Sequence, residues 1–236
     1  LADKFLVREW VADTVGEKYL IPLLGVWDSP DEIDFDSLPE RFVLKAPHGS
    51  AWNILVTDKG ALDVRGARRR MASWLALRKA MMGGFELHYE FCEPRIVCER
   101  FIQDETGGLR DYKFMTFDGD VQFAITVEGR STRRVLGTYL PDWTRAPFEY
   151  VYDEGRAPDV PRPRGLEQML ALARELGKGF ACARVDFYEV DGRVYVGEIT
   201  FTCTSGLSDF RPPRYDLEFG QRLRLPEKKP FKGVML

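Results

Sequence analysis

Along Arg184-Val185-Asp186-Phe187-Tyr188 and Val196-Gly197-Glu198-Ile199-Thr200, polar residues alternate with apolar ones, and Asp191-Gly192 lies between the two runs. The pattern is that of a β-hairpin, with two acids and an arginine where an ordinary core hairpin carries Val or Thr. On one sheet face, Asp186 and Glu198 would offer oxygen ligands to Mg²⁺, leaving Arg184 for a phosphate or carboxylate. Sharing a face is a matter of parity, because one residue of slippage reverses every side chain. A two-residue Asp191-Gly192 turn pairs Asp186 with Gly197 and turns Glu198 away. A three-residue Val190-Asp191-Gly192 loop, with Gly192 left-handed in a G1 bulge, pairs Asp186 with Val196 and Arg184 with Glu198. The metal reading therefore predicts the three-residue loop with Gly192 at positive φ. The alternative is a surface-facing ion-pair ladder.

A second feature is Lys45, which ends Phe42-Val43-Leu44 and precedes Pro47-His48-Gly49-Ser50-Ala51-Trp52. A lysine beside a Gly/Ser loop with free backbone N–H groups suits phosphate: a point charge next to amides. The GxxxxGK[ST] pattern is absent, so this is not a P-loop, and in isolation a lysine at a strand end reaches water. A third stretch is Cys98-Glu99-Arg100-Phe101-Ile102-Gln103-Asp104, followed by Asp111-Tyr112-Lys113-Phe114. Its composition alone favours an edge strand with outward charges.

These residues sit in a chain of 236 residues with 34 Lys+Arg against 37 Asp+Glu, a net charge of −3. The whole molecule therefore lacks the positive field of a non-specific nucleic-acid or anionic-membrane binder. No apolar run approaches the roughly 20 residues of a membrane span. Leu1-Ala2-Asp3-Lys4 shows neither the basic start nor the apolar stretch of a signal peptide. Cys92, Cys98, Cys182 and Cys203 have no CxxC pairing and only His48 and His88 to join them, which argues against a thiolate zinc site. Reduced cysteines in apolar runs point to a reducing cytoplasm.

The elements that must position these groups follow from periodicity. Asp3 to Val15 reads as an amphipathic helix capped by Asp3 and stopped by Gly16, and Asp63 to Met82 as a second helix ended by Gly83-Gly84. Leu166 to Leu176 is a third. Tyr19 to Val26 reads extended. Strands are expected at Arg41–Ala46, Asn53–Thr57, Arg95–Ile102, Asp111–Phe117 and Val121–Val127, with an Asp118-Gly119 turn joining the last two, and in the hairpin Ala181–Val190 with Arg193–Thr200. Residues 128–162 resist assignment; their basic groups read as a solvated loop or as a grip for an anionic glycan. The whole is an α+β protein with antiparallel sheets.

Taken in order, Lys45 with its Gly-containing loop, Glu99-x-x-Ile102, Asp111-Tyr112-Lys113, Arg184-x-Asp186 and Gly197-Glu198-Ile199-Thr200 resemble the ATP-grasp fold, and more narrowly its TupA-like group, associated with cell-surface polysaccharide synthesis. Asp3-Lys4-Phe5, Ile21-Pro22-Leu23-Leu24-Gly25-Val26-Trp27-Asp28-Ser29-Pro30 and His48-Gly49-Ser50-Ala51-Trp52-Asn53 are similar to that group as well. The resemblance implies two α+β lobes with antiparallel sheets that clamp ATP. The expected division is a helix and connector at 1–40, a small lobe at 41–100, a large lobe at 101–226 and a tail at 227–236. It also implies that Lys45 and Lys113 contact the phosphates under a loop containing His48, Gly49 and Ser50. Glu99 would accept from the adenine amino group beside the Phe101 and Ile102 backbone, and Asp104 would take the ribose. Asp186 and Glu198 would hold Mg²⁺, with Arg184 stabilising the transferring phosphoryl group. Thr200 stands where many ATP-grasp enzymes place Asn, and Ala51 where a Gly is expected. The usual N-terminal pre-ATP-grasp domain is absent or shortened, so a second copy or partner protein would complete the acceptor site. The implied reaction is ligation of a small-molecule carboxylate to an amine or glycan acceptor through an acyl phosphate; the alternatives are a sugar or glycan kinase and a non-catalytic nucleotide-binding module.

Overall fold

A computed structural model of the chain describes residues 1–49, 51–77, 87–104, 108–128, 135–151, 159–225 and 227. The elements run α1 (Leu6–Val15), β1 (Leu23–Trp27), β2 (Phe42–Lys45), β3 (Asn53–Val56), α2 (Val64–Ala76), β4 (Ile96–Arg100), β5 (Asp111–Phe117), β6 (Asp120–Glu128), β7 (Val135–Tyr139), β8 (Glu149–Val151), α3 (Leu166–Gly177), β9 (Ala183–Val190), β10 (Arg193–Thr200), β11 (Asp209–Arg211) and α4 (Arg214–Arg222). They form a small sheet ordered β1-β4-β2-β3, a large sheet ordered β10-β9-β5-β6-β7, and a β11-β8 ribbon. Every pairing between these strands is antiparallel.

Helix α1 starts where Asp3 places it. Asp3 Oδ1 accepts the N–H groups of Phe5 at 2.7 Å and Leu6 at 3.0 Å, satisfying donors that a helix start leaves without partners. Its apolar stripe, Val7 and Val11, is buried with Leu166, Met169, Leu170, Ala173 and Leu176 of α3 against Phe114, Val185 and Phe187 of the large sheet. Full burial of such side chains is worth about 1.5–3 kcal/mol each, which seats α1 on the large-sheet core. A second core holds the small sheet against α2 through Phe42, Leu44, Ile96, Met71 and Trp74. A third, rich in aromatics, packs Phe123 and Ile125 of β6 with Phe148, Phe210 and Phe219. The thiol of Cys98, inside the second core, is pushed up to about 12 by burial and then by Glu99, as suits a small hydrophobe.

Several elements differ from the expectation. Helix α2 ends at Ala76, since Leu77 is extended and its N–H closes the last turn on the Trp74 carbonyl at 3.1 Å; Gly83-Gly84, the expected stop, lies outside the described residues. The stretch that periodicity could not resolve contains β7 and β8, strands of five and three residues. Residues 129–134 and 152–158, with most of its basic groups, lie outside the described residues, as does the 227–236 tail apart from Glu227.

The most informative difference is in the β9-β10 hairpin. Its turn is the tight two-residue one, with Arg193 opposite Val190 and both Asp191 (φ 52) and Gly192 (φ 77) left-handed, the pair of angles a type I′ turn requires. The three-residue loop is thus incorrect, although Gly192 has the positive φ expected of it. The face is recovered elsewhere. The register steps from Val196 opposite Phe187 to Glu198 opposite Asp186, so Gly197 is the extra residue of a β-bulge and flips the parity of everything after it. A Cβ on Gly197 would stand 2.6 Å from the Tyr188 ring, so any larger residue must displace that ring or the bulge.

A pair of substitutions separates the two glycines. A Cβ at Gly192 meets nothing within 4 Å, so Gly192→Val costs about 1–2 kcal/mol of left-handed strain and leaves the site aligned. Gly197→Val forces the Tyr188 ring or the bulge to move. Urea midpoints and the NMR amide shifts of Asp186 and Glu198 in both variants decide the matter: Gly192→Val loses stability and leaves those shifts in place, whereas Gly197→Val moves them, because the parity of the strand depends on the bulge. Unmoved shifts in Gly197→Val would mean that the bulge does not set the face.

Candidate functional site

The bulge brings Glu198 of β10, Asp186 of β9 and Lys113 of β5 into one row across the large sheet. Asp186, only 2% exposed, is held on two sides. Arg184 donates through Nε to Oδ1 at 2.6 Å and through Nη2 to Oδ2 at 2.8 Å, and Lys113 Nζ donates to Oδ2. Lys113 is also 3.9 Å from Asp111. Arg184 Nη2 reaches the Thr200 hydroxyl at 3.0 Å, and that hydroxyl donates to Glu198 Oε1 at 3.1 Å. Burial opposes the charge on Arg184, and Asp186 more than offsets it, raising the guanidinium pKa above its ordinary value. Burial would likewise raise the Glu198 carboxyl, but Lys4, Arg184 and Lys113 draw it down to about 2. The four polar residues of the hairpin therefore form one connected, charged network on a single face.

The small sheet carries the other set. Val43 of β2 faces Glu99 of β4, and from the end of β2 Lys45 Nζ donates to Glu99 Oε2 at 2.5 Å. Arg8 of α1 donates to Glu99 Oε1 at 2.6 Å. Glu99 thus lies buried between two cations, with two of a carboxylate's roughly four acceptor positions taken. Phe101, Ile102 and Asp104 follow β4 as irregular chain; the Arg41 guanidinium lies 4.2 Å from the Phe101 ring centroid, and Asp104 N–H donates to the Gly108 carbonyl at 2.9 Å.

In the loop after Lys45, the His48 side chain is 2% exposed, and Nε2 donates to the Trp74 carbonyl at 2.9 Å. That carbonyl belongs to the last turn of α2 and also accepts from the Leu77 N–H at 3.1 Å, so His48 adds a second donor at the helix end and anchors the loop. Gly49 lies under Trp52, whose ring would stand 2.2 Å from a Cβ there. Ala51 has φ 60, the left-handed conformation that a glycine would take with less strain. Ser50 lies outside the described residues.

What the sequence reading missed is the link between the two sets. Lys4, just before α1, donates to the Gly49 carbonyl at 3.1 Å and stands 3.8 Å from Glu198 Oε1. Arg8, four residues on, holds Glu99 and the Ile21 carbonyl, the latter at 2.7 Å. Both project from the start of a helix packed on the large-sheet core, and each touches the small-sheet side. The i,i+4 spacing of Lys4 and Arg8 was visible; their carboxylate partners, 91 and more positions away, were not.

Among solved structures, the chain is similar to the ADP complex of PurK, an N5-carboxyaminoimidazole ribonucleotide synthetase, at 12% identity and TM-score 0.51, covering 85% of this chain and 44% of that one. It is similar to the D-cycloserine synthetase DcsG at 18% identity and TM-score 0.50, covering 92% and 70%. A D-alanine–D-alanine ligase from Bacillus anthracis, complexed with ATP, aligns at 19% identity and TM-score 0.45 over 85% and 53%. The chain spans about half the length of the first and last of these structures. At such identities the first two show the fold and nothing finer. No curated protein sequence matches the chain. The family described as TupA-like ATPgrasp matches residues 1–224, nearly the whole chain, and the protein belongs to that TupA-like ATP-grasp family.

Proposed function

We propose that the protein is an ATP- and Mg²⁺-dependent carboxylate–amine ligase that works through an acyl phosphate, in the synthesis of a cell-surface polysaccharide or peptide. The observation that carries this reading is the row Glu198–Asp186–Lys113 with Arg184, set against Lys45 and Glu99 and joined to them through Lys4 and Arg8. The fold and family support it.

The residues fit the ligands. Mg²⁺ commonly takes one or two protein carboxylates and completes its shell with water and phosphate oxygens. Asp186 and Glu198, directly opposite each other, meet that need, and Glu198 Oε2 accepts no bond among the described residues. No larger cluster of His, Cys, Asp and Glu occurs among those residues. Bound there, the metal would neutralise phosphate charge. Lys45 and Lys113 bring cations to the phosphates, and the Gly49 loop brings backbone. Glu99 retains acceptor capacity for the adenine amino group beside the Phe101 and Ile102 backbone, with Asp104 at the ribose.

In the reaction, a substrate carboxylate oxygen bonds to the terminal phosphorus of ATP and the bond to ADP breaks. The amine then bonds to the acyl carbon, phosphate leaves, and the amine's proton passes to solvent. Arg184, fixed by Asp186 and Thr200, supplies a positioned positive group where oxygen charge develops, without reorganisation at that moment. Phosphoryl transfer needs little else than such positioning and neutralisation.

Two measurements test this. Mg-ATP at a hundredfold excess over its Kd stabilises the fold by about 2.7 kcal/mol, a rise in Tm of roughly 5–10 °C for a chain of this size. ADP release against a panel of amino acids and uronic-acid glycans identifies the substrates, with mass spectrometry expected to find an amide. No thermal shift at millimolar Mg-ATP overturns nucleotide binding, and a stable phosphoester product makes the protein a kinase.

A further inference from the structure

Lys4 is in a position that the proposed mechanism does not use. Its ammonium lies between the Gly49 carbonyl, at 3.1 Å, and Glu198 Oε1, at 3.8 Å, so one side faces the loop after Lys45 and the other the outer carboxylate of the large sheet. The side chain is 20% exposed, and Nζ lies 5.7 Å from the centroid of the Tyr89 ring. The backbone before and after it is fixed. Asp3, 3% exposed, caps α1 with Oδ1, and Arg8, one turn on, ties the same helix to Glu99 and to the Ile21 carbonyl. A long flexible lysine has thus been brought to one place between the two sheets, at the cost of its side-chain entropy. A surface ion pair with Glu198 would return less than that.

Resting on the nucleotide reading above, we infer that Lys4 contacts the terminal phosphate of ATP and distinguishes the triphosphate from the diphosphate. Glu198 would help to hold Mg²⁺, and a metal held there would attract phosphate oxygens, so the terminal phosphate would lie near Glu198. The Gly49 carbonyl belongs to the loop that, on the same reading, would bring backbone to the phosphates. Lys4 Nζ already touches both. Lys45, by contrast, is drawn to Glu99, and Lys113 to Asp186. Without nucleotide, Lys4 compensates the Glu198 charge. With the terminal phosphate present, the ammonium has a second anion within reach, and it loses that partner again when only a diphosphate is bound.

The test is the affinity of the full chain for Mg-ATP and Mg-ADP, measured by calorimetry without acceptor substrate, so that turnover plays no part. A charge-assisted contact is worth about 1.5–3 kcal/mol, so Lys4→Met raises the Kd for Mg-ATP by roughly tenfold or more. The Kd for Mg-ADP changes by less than about threefold, because the phosphate that Lys4 contacts is absent from it. Where Lys4→Met folds poorly, Lys4→Gln, which keeps a donor for the Gly49 carbonyl, decides in its place. Unchanged affinity for Mg-ATP, or an equal loss for both nucleotides, overturns the role of Lys4 while leaving nucleotide binding intact. A wild-type chain that binds neither nucleotide overturns the nucleotide reading and this one with it.

Discussion

Glu198→Gln is expected to lower ATP turnover by roughly a hundredfold or more, the scale on which loss of one preorganised charge at a transition state is felt. Shape is kept, and the Thr200 hydroxyl can still donate to the amide oxygen, so the hairpin survives. What disappears is a negative charge that Lys4, Arg184 and Lys113 all face. That charge also makes the variant legible in stability. Against the pull of burial, those three cations set the folded-state pKa of Glu198 at about 2, below the ordinary 4.5. The ionised group therefore contributes stability that is complete above about pH 4.5 and is lost as the pH falls towards 2. The shift corresponds to at most about 3 kcal/mol, and partial exposure of the side chain reduces it towards 1. Urea midpoints at pH 7 and pH 3 should show the wild type losing this increment while Glu198→Gln, already without it, changes less. Normal turnover in the variant, together with the missing acid response, would make Glu198 a structural ion-pair partner and move the metal elsewhere.

The hairpin shows how far the sequence could be read. Alternation identified Arg184, Asp186, Glu198 and Thr200 as a set, and the structure places them on one face, but by a different device. Period-2 logic requires one odd residue between Asp186 and Glu198, and the turn is the expected place for it. Asp191-Gly192 is instead the favoured two-residue type I′ signal. The odd residue is Gly197, and a glycine inside a strand is itself a mark of a bulge. Which glycine does it depends on the Tyr188 ring lying across Gly197, a cross-strand contact that a linear pattern does not hold. His48 shows the converse. It sits in a Gly/Ser loop, and its ring partner is the Trp74 carbonyl at the end of α2, 26 positions away, a contact that the loop's composition does not disclose. The core-facing stripe of α1 was legible because helical spacing reports burial. The polar ends of Lys4 and Arg8 were not, because their carboxylate partners are chosen by tertiary packing.

Arg184→Met is expected to cost about 3–5 kcal/mol of folding stability, the usual penalty for removing one member of a buried ion pair. Asp186 is 2% exposed and, among the described residues, would keep the Lys113 bond alone, so the loss is mainly that of a desolvated carboxylate left undercompensated. Lysine does not repair it, since a single ammonium cannot reproduce the two parallel bonds to Oδ1 and Oδ2. The informative variant is the double one, Arg184→Met with Asp186→Leu. Replacing a buried pair by apolar residues of similar volume is often neutral or stabilising, and Lys113 still has Asp111 at 3.9 Å. Urea denaturation should therefore find the double variant more stable than Arg184→Met, by roughly 2 kcal/mol or more, while neither releases ADP. That outcome would mean that Arg184 and Asp186 are retained for chemistry at a cost to the fold, as expected where a charged site is built onto a sheet face that continues into an aromatic core. A double variant no more stable than the single one, or an Arg184→Met protein with full turnover, would instead assign the pair to holding β9 against its neighbours.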